Sequence, residues 1–243
     1  MDKIEPIIVP KASDVLANRL RSMILGGKLA TGASLPTERE LVTETGLSRS
    51  SVREALRILE IEGLITTRPG RTGGSVVTLP GRASIVRSME LFVRTHGVRL
   101  EALLECRIGL EPFLARLAAR NCTEAALQEI RRLHKEFIAS VDDVPRYKRV
   151  NLEWHLAVAR ASCNEPLIAL MEAIAEPIMD AAGYQQVTTD EIRRKTVRAH
   201  EKILRAIESG DEDAAFNAME RHVSAYGKIV REALSVETVE RIE

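Results

Sequence analysis

The sequence predicts a mainly α-helical protein in which a small N-terminal domain of three helices and a β-hairpin precedes an all-helical antiparallel bundle of about seven helices. Three observations support this fold class. The chain has 243 residues, which is more than one average domain. Hydrophobic residues make up 45% of it but aromatic residues only 3%, so the core is aliphatic and favours helix-on-helix packing. Helical periodicity without a strand signal runs through most of the C-terminal two thirds.

The N-terminal domain begins with an amphipathic helix. Residues 35–41, LPTEREL, predict a second helix that begins at Pro36, and residues 47–56, LSRSSVREAL, predict a third. Ser34 or Ser48 can cap the helix that follows it. The apolar stripe of the first helix consists of Val15, Leu16, Leu20, Met23 and Ile24.

A β-hairpin is predicted directly after the third helix. Two β-branched runs, residues 64–68 and 75–79, are separated by a Gly-rich tip. Gly73 and Gly74 permit backbone angles that are closed to other residues. Three helices and a hairpin in this order describe a winged helix-turn-helix domain.

The start of the third helix is the predicted DNA-binding surface. Arg49, Ser50 and Arg53 crowd its first turn and outer side, where a recognition helix presents side chains to base edges and phosphates. Residues 1–82 carry 12 Lys/Arg against 9 Asp/Glu, a balance of +3, whereas the remaining 161 carry 23 against 26, a balance of −3. A weakly basic domain joined to a weakly acidic one suits a protein that contacts DNA with one end only. The alternative is that these arginines only solvate an exposed helix.

Residues 10–80 resemble the head of the GntR family of bacterial transcription regulators, which carries an LPSEReLa motif, an sRtpVReAL motif and a wing that contains glycine. The match runs without a gap. The resemblance implies binding to double-stranded operator DNA, and entry of the wing tip at Gly70 into the minor groove. The positions that match operator-contacting residues of the family are Arg39, Arg49, Ser50, Ser51 and Arg53.

Helical periodicity resumes after a short linker. The expected limits are 1–80 for the winged helix-turn-helix domain, 81–84 for the linker, 85–236 for the helical domain and 237–243 for a C-terminal tail. The helical domain is expected to form an antiparallel bundle without strands. Its seven helices are expected at about 83–96, 100–120, 124–140, 145–162, from 165 onward, 189–209 and 211–235.

Three histidines of the helical domain are candidate metal ligands. Asn151 and His155 lie four residues apart and therefore share one face of a helix. His200 lies about 15 Å of helix before the tight turn expected at Gly210, and His222 lies about 16 Å of helix after it. If these helices run antiparallel, both imidazoles reach the same level of the bundle. The spacing predicts a site of three nitrogens and one oxygen; the alternative is that each histidine is merely exposed or hydrogen-bonded.

This domain is similar to the FCD domain, the effector-binding and dimerising domain of FadR-type GntR proteins. In its metal-bearing members one helix supplies an Asp-x-x-x-His pair, and two later helices supply one histidine each. The resemblance implies that His155, His200 and His222 hold a divalent metal ion such as zinc, nickel or manganese. Asn151 departs from the pattern, because the family usually has Asp there. A neutral amide oxygen leaves one more positive charge in the site and should weaken metal affinity.

Arg107 is the candidate effector-binding residue. It lies on a largely apolar helix, where its charge requires an anion, and a small carboxylate matches the guanidinium fork. The GntR relatives commonly have an Arg followed by an apolar-Glu pattern here. The alternative is an internal salt bridge, for instance to Glu105 or Glu153.

Cysteine usage and hydropathy limit the classes of protein further. The cysteines at 106, 122 and 163 have no CxxC spacing and are expected to be reduced, mostly buried thiols. No apolar run approaches the ~18 residues that a membrane span needs, and no apolar segment precedes the first helix. We therefore expect a cytoplasmic protein that is not embedded in a membrane.

Together these features predict a homodimeric, ligand-responsive bacterial transcription regulator of the FadR subfamily, and a repressor rather than an activator. It would bind a pseudo-palindromic operator and respond to a small organic or sugar acid held by the metal ion and Arg107. We expect no enzymatic activity. Two other functions stay open. One is a DNA-binding regulator whose metal site is purely structural, with no carboxylate effector. The other is a metal-dependent hydrolase with a DNA-binding head, because an open position on a three-histidine site can activate water.

Overall fold

The structure is a computed structural model, and it describes residues 9–68, 74–180 and 189–233. The chain divides into two compact units with the boundary between Ser84 and Ile85. The first unit is called the head and the second the bundle. No helix within the described ranges is both long and apolar enough to cross a lipid bilayer.

The head contains the three helices that the sequence predicted. They are α1 (Ala12–Leu25), α2 (Glu38–Thr45) and α3 (Arg49–Ile61). Ser48 caps α3, because its side chain accepts a hydrogen bond from the backbone N–H of Ser51 at 3.1 Å.

The start of α2 differs from the sequence prediction. Helix α2 begins two residues after Pro36 and is capped by Thr37 rather than by Ser34. Thr37 and Glu40 form a capping box, in which each side chain accepts a hydrogen bond from the other residue's backbone N–H. The reciprocal box satisfies two backbone donors, which a cap at Ser34 would leave unpaired.

The head is completed by the predicted hairpin. Strands β1 (Ile65–Arg68) and β2 (Gly74–Val77) pair antiparallel, and Gly70 in the connecting tip lies outside the described residues. The apolar stripe of α1 is narrower than expected, because Val15 is 54% exposed. The buried face of α1 consists instead of Ser13, Leu16, Ala17, Leu20 and Ile24.

Seven helices form the described part of the bundle, which confirms the predicted architecture. They are α4 (Arg82–His96), α5 (Leu100–Asn121), α6 (Glu124–Ala139), α7 (Val144–Ala161), α8 (Glu165–Asp180), α9 (Asp190–Glu208) and α10 (Glu212–Ala233). Their starts follow local signals: the side chains of Thr123, Asp143 and Thr189 cap α6, α7 and α9.

The last two helices are joined by a tight turn. Gly210 has a φ of +69°, a left-handed conformation that glycine adopts without strain. The Asp211 side chain then accepts a hydrogen bond from the backbone N–H of Ala214 at 2.9 Å and so caps α10. Helices α9 and α10 therefore pack side by side, and α10 also packs along much of α5.

The cysteines are less buried than the sequence predicted. Cys106 and Cys163 are exposed, and Cys122 is half-buried. Cys106 lies on the outward face of α5, and Cys163 lies in the turn between α7 and α8, so neither faces the apolar core.

Candidate metal centre and DNA-binding face

Helix α7 carries two of the four predicted metal ligands in the interior of the bundle. Asn151 and His155 lie one turn apart and are both buried, with exposed fractions of 7% and 2%. Trp154, next to His155, is fully buried in the main apolar cluster. Packing of this large side chain fixes the rotation of α7 about its axis, and it thereby fixes where the ligand face points.

His200 on α9 and His222 on α10 lie at the same level, as the spacing around Gly210 predicted. Nε2 of His200 is 3.2 Å from Nε2 of His222, which in turn is 3.3 Å from Nε2 of His155. The candidate ligand atoms of the three residues all lie within 4.8 Å of one another. Three helices therefore bring three imidazole nitrogens to one point, which we call the three-imidazole centre.

The spacing of these nitrogens fits a metal ion. Imidazole nitrogens bind zinc at about 2.0–2.1 Å, and two such ligands on a tetrahedral ion are about 3.3–3.4 Å apart. The two separations from His222, 3.2 and 3.3 Å, lie close to that value, and the third pair lies within 4.8 Å. His222 Nε2 faces both other Nε2 atoms, and hydrogen bonds cannot satisfy all three at once because a neutral imidazole has only one N–H. A cation coordinated by the three lone pairs resolves this conflict.

The electrostatics of the three-imidazole centre disfavour protons. Burial lowers the pKa of His155 and His222, the latter to about 3, and lowers that of His200 well below its usual value. His222 is half-buried by surface area, whereas His200 is completely buried. Neutral imidazoles keep their lone pairs, and lone pairs are what a metal ion needs.

Glu111 on α5 is a further residue of the candidate site, and it is not among the residues predicted from the sequence. One carboxylate oxygen lies 2.5 Å from Nδ1 of His155, the ring nitrogen opposite to the one that faces the centre. Metal-binding histidines usually donate this second N–H to a carboxylate or carbonyl, which orients the ring. Burial by itself would raise the pKa of Glu111, but the charges of Arg107 and His155 outweigh it and hold that pKa well below its usual range.

Arg107 is buried, with 5% of its surface exposed, and it pairs with the other oxygen of Glu111 through Nε. The internal salt bridge considered for Arg107 therefore exists, but its partner is Glu111 rather than Glu105 or Glu153. The signal was available in the sequence, because Arg107 and Glu111 are four residues apart on one helix. Arg107, Glu111 and His155 form a continuous buried chain that ends at the three-imidazole centre.

His200 is held between two aromatic rings. Its imidazole stacks on Trp154 with 3.8 Å between ring centroids and on Phe137 at 4.6 Å. This sandwich restricts the ring to one plane and surrounds it with apolar surface, which favours its neutral form. This contact was not predictable from the sequence, since the three residues lie on three different helices.

A small inner cavity of about 20 Å³ adjoins the three-imidazole centre. Four of the predicted site residues line it, namely Arg107, Asn151, His155 and His222. Asn151, the fourth candidate ligand, and Arg107, the candidate effector-binding residue, therefore line the same small cavity. His200, the third imidazole of the centre, is not among the residues that line this cavity and lies between the rings of Trp154 and Phe137.

The predicted DNA-binding residues occupy the surface of the head. Arg39, Arg49 and Ser50 are exposed, and Ser51 is half-buried beneath them, with its hydroxyl 2.9 Å from that of Ser48. Arg53 is also exposed, and its Nε donates a hydrogen bond to Glu38 on α2 at 2.8 Å. The remaining candidate, Gly70, lies outside the described residues.

A winged helix-turn-helix head followed by a helical bundle is typical of bacterial DNA-binding transcription regulators. Residues 12–74 match the model of the gntR family of bacterial regulatory proteins, and residues 102–225, just over half of the chain, match the FCD domain. The chain belongs to the GntR family of bacterial regulators that carry an FCD domain.

Sequence similarity to relatives extends along nearly the whole chain. The Glc operon transcriptional activator of Escherichia coli is 28% identical over 223 residues, which cover 88% of this chain and 87% of the relative. The protein named L-lactate dehydrogenase operon regulatory protein of the same species is 27% identical over 226 residues, or 90% and 86%. The transcriptional repressor NanR of Klebsiella aerogenes is 26% identical over 227 residues, or 90% and 85%. By name, all three relatives are regulators of transcription or of an operon.

A solved structure shows the same fold. The Streptococcus agalactiae GntR structure superposes with a TM-score of 0.63 at 24% sequence identity, covering 89% of this chain and 99% of that one. This likeness supports the arrangement of a winged helix-turn-helix head and a helical bundle within one chain.

Proposed function

We propose that this chain is a homodimeric transcription repressor of the FadR subfamily, which binds a palindromic operator and is released by a small organic or sugar acid bound at a metal ion in the bundle. One observation carries this proposal. The inner cavity is lined both by residues of the three-imidazole centre and by Arg107, so a carboxylate there would meet a metal ion on one side and a guanidinium on the other.

The charges around the inner cavity support an anionic effector. Three neutral imidazoles and the amide of Asn151 bring no negative charge, and the charge of Glu111 is balanced by Arg107. A divalent zinc, nickel or manganese ion in this position would keep its two positive charges uncompensated in a buried space. A small carboxylate supplies the missing negative charge and binds most strongly where water is excluded. One relative is a regulator of an operon for the dehydrogenase of L-lactate, itself a small carboxylate.

A second copy of the chain is the proposed partner of α4. Ile85 and Phe92 lie two turns apart on one face of this helix and are 47% and 50% exposed, and the neighbouring Leu91 is 60% exposed. Large apolar side chains that share a helix face are expected to be covered by a partner. Sedimentation of the wild-type protein and of Phe92→Asp tests this, with a dimer and a weakened dimer as the expected results.

The head provides the proposed operator contacts. Arg39, Arg49, Ser50 and Arg53 are exposed, and a two-fold dimer would place two copies of α3 in successive major grooves. The relatives include both an activator and a repressor, so the sign of regulation is a separate part of the proposal. Transcription from the bound promoter, measured with and without effector, tests it.

Titration of the purified protein with a panel of organic and sugar acids tests the sensor function. An operator is first selected from a pool of random DNA, and DNA binding is then measured with each acid, before and after treatment with a chelator. We expect metal-dependent, saturable release of DNA by at least one carboxylate. Arg107→Ala should keep metal, dimer and DNA binding but lose the response.

The same titration distinguishes the two alternatives. Binding of DNA with no response to any acid would favour a purely structural metal site, a reading that the existing Arg107–Glu111 ion pair supports. Metal-dependent turnover of an acid derivative would favour the hydrolase. Effector release of the Arg107→Ala variant at the wild-type concentration would show that Arg107 serves only as an internal ion-pair partner.

A further inference from the structure

A groove of about 350 Å³ runs along the surface between α9 and α10. Four cationic side chains line it: Lys195, Arg198 and Lys202 from α9, and Arg221 from α10. All four are exposed at its rim, and apolar residues, among them Ala199 and Ile229, form much of its floor. We call this feature the cationic groove.

The cationic groove lies directly beside the inner cavity. The two spaces share four lining residues, namely Ile192, Thr196, His222 and Tyr226. His222 therefore contributes to the three-imidazole centre on one side and to the wall of the groove on the other. A ligand that reaches the metal centre from the surface between α9 and α10 would pass along the cationic groove.

The sizes of the two spaces restrict what the inner cavity can hold. A volume of about 20 Å³ accommodates only one or two water-sized groups, since a single water needs on the order of 10–15 Å³ in this measure. One carboxylate fits such a space, but the rest of an organic acid does not. The remainder of the molecule must lie in the larger groove outside, where it would be surrounded by cations.

The charges of the cationic groove are poorly balanced by the protein itself. Within the described residues, Arg198, Lys202 and Arg221 form no ion pair with a carboxylate. The fourth groove cation, Lys195, pairs with Glu191 at 2.6 Å. Outside the groove, Arg194 pairs with Asp190 and Arg205 with Glu201. Exposed lysines and arginines often serve only solubility, but here they surround a concave space that shares residues with the wall of the inner cavity. Close-spaced cations around a cleft attract anions and hold them by charge-assisted hydrogen bonds.

We propose that the effector is a polyanion, which places one carboxylate in the inner cavity and a second carboxylate or a phosphate-type group in the cationic groove, against Arg198, Lys202 and Arg221. This inference rests on the proposed carboxylate-sensing function and specifies the chemical class of its ligand. The inner contact selects for a carboxylate, and the groove selects for a second negative charge a few bonds away.

Three acids with a common carbon skeleton test the proposal. Propionate has one carboxylate, succinate adds a second at the far carbon, and 3-phosphonopropionate adds a phosphonate at the same place. Their affinities for the metal-loaded, full-length protein are measured by calorimetry. We expect both dianions to bind up to about fivefold tighter than propionate, since one exposed ion pair contributes at most about that factor. The preference should shrink as salt is raised, because exposed charges are screened. The ratio between the two dianions distinguishes a carboxylate from a phosphate-type effector.

Variants with matched charge changes locate the second anion. Arg198→Gln combined with Lys202→Gln should remove most of the preference for dianions and leave propionate affinity unchanged. Arg194→Gln combined with Arg205→Gln removes the same charge from the same helix but outside the groove, and it should retain the preference. All four residues are exposed, so neither variant disturbs the core.

Each outcome has a definite meaning. Equal affinities for propionate and succinate, or a preference that both double variants keep, would overturn the cationic groove as a subsite while leaving the carboxylate sensor intact. Dianion binding to metal-free protein with undiminished affinity would also overturn the proposal, because the ligand would then not bridge the two spaces. Failure of all three acids to bind the metal-loaded protein, together with no response in the panel of organic and sugar acids, would reject the proposed sensor function, and the inference would be rejected with it.

Discussion

Replacement of Glu111 by Gln removes one negative charge from the interior of the bundle and keeps the size of the side chain almost unchanged. In the wild-type protein one carboxylate oxygen accepts a hydrogen bond from Nε of Arg107, and the other lies 2.5 Å from Nδ1 of His155. A carboxamide has one acceptor oxygen and one donor nitrogen. One of the two partners must therefore face a donor in the variant.

Both orientations of the new amide are unfavourable. If its nitrogen faces His155, the proton of that imidazole moves to Nε2 and points into the metal centre. If its oxygen faces His155, the amide nitrogen opposes the donor group of Arg107, and in either case the guanidinium loses its countercharge. Loss of a carboxylate that orients a metal-binding histidine lowers metal affinity by about 10–100-fold, or ~1.4–2.7 kcal/mol. Breaking a buried ion pair costs about 3–5 kcal/mol of folding stability.

Two measurements check this expectation. Competition with a chromogenic chelator gives metal affinity, and denaturant unfolding with and without metal gives stability. Glu105→Gln is the matched control, because Glu105 is an exposed carboxylate on the same helix; it should match the wild type in both assays. The double variant Arg107→Gln, Glu111→Gln removes both charges together and should recover much of the stability, but it should not recover metal affinity.

Wild-type metal affinity in Glu111→Gln, with the usual stabilisation by metal, would refute the idea that Glu111 orients His155. Recovery of metal affinity in the double variant would refute it as well, since the defect would then come from the unpaired Arg107 charge alone. If the single variant does not fold, the double variant still decides between these readings.

Three further predictions address the remaining parts of the molecule. Asn151→Asp should raise metal affinity by adding an anionic oxygen to the inner cavity; unchanged affinity by chelator competition would place residue 151 outside the coordination sphere. Arg49→Ala and Arg53→Ala should each weaken operator binding, by ~1–3 kcal/mol where a base contact is lost and equally on random DNA where a phosphate contact is lost. The effect of Arg53 should be the smaller because Glu38 already engages it, and wild-type affinity in both would exclude them from the interface. Burial lowers the pKa of His222 to about 3, so as pH falls below about 6.5 the unfolded chain binds more protons than the folded metal-free protein. The free energy of unfolding should therefore be highest above that pH and decline below it, by on the order of 1 kcal/mol near pH 5 after allowance for partial exposure. A denaturant unfolding midpoint that does not change between pH 7.5 and 5 would contradict this.

Features that depend on neighbouring residues in the chain were predictable from the sequence. The helix starts at Thr123 and Thr189 follow from side chains that bond to backbone three residues ahead. The common level of His200 and His222 follows from the constant rise of a helix on both sides of a tight turn at Gly210. Regular helical geometry converts sequence spacing into distance, so these parts needed no knowledge of the remaining chain.

Features that depend on burial were decided only by tertiary structure. Sequence spacing allowed Arg107 to pair with Glu111, but only the packing of α7 against α5 buries that pair and brings Nδ1 of His155 to the same carboxylate. The stacking of His200 on Trp154 likewise joins residues from two helices, and the cationic groove exists only where α9 and α10 meet. The strength of a charge and the availability of a lone pair depend on which atoms exclude water from them, and those atoms come from residues that are distant in the sequence.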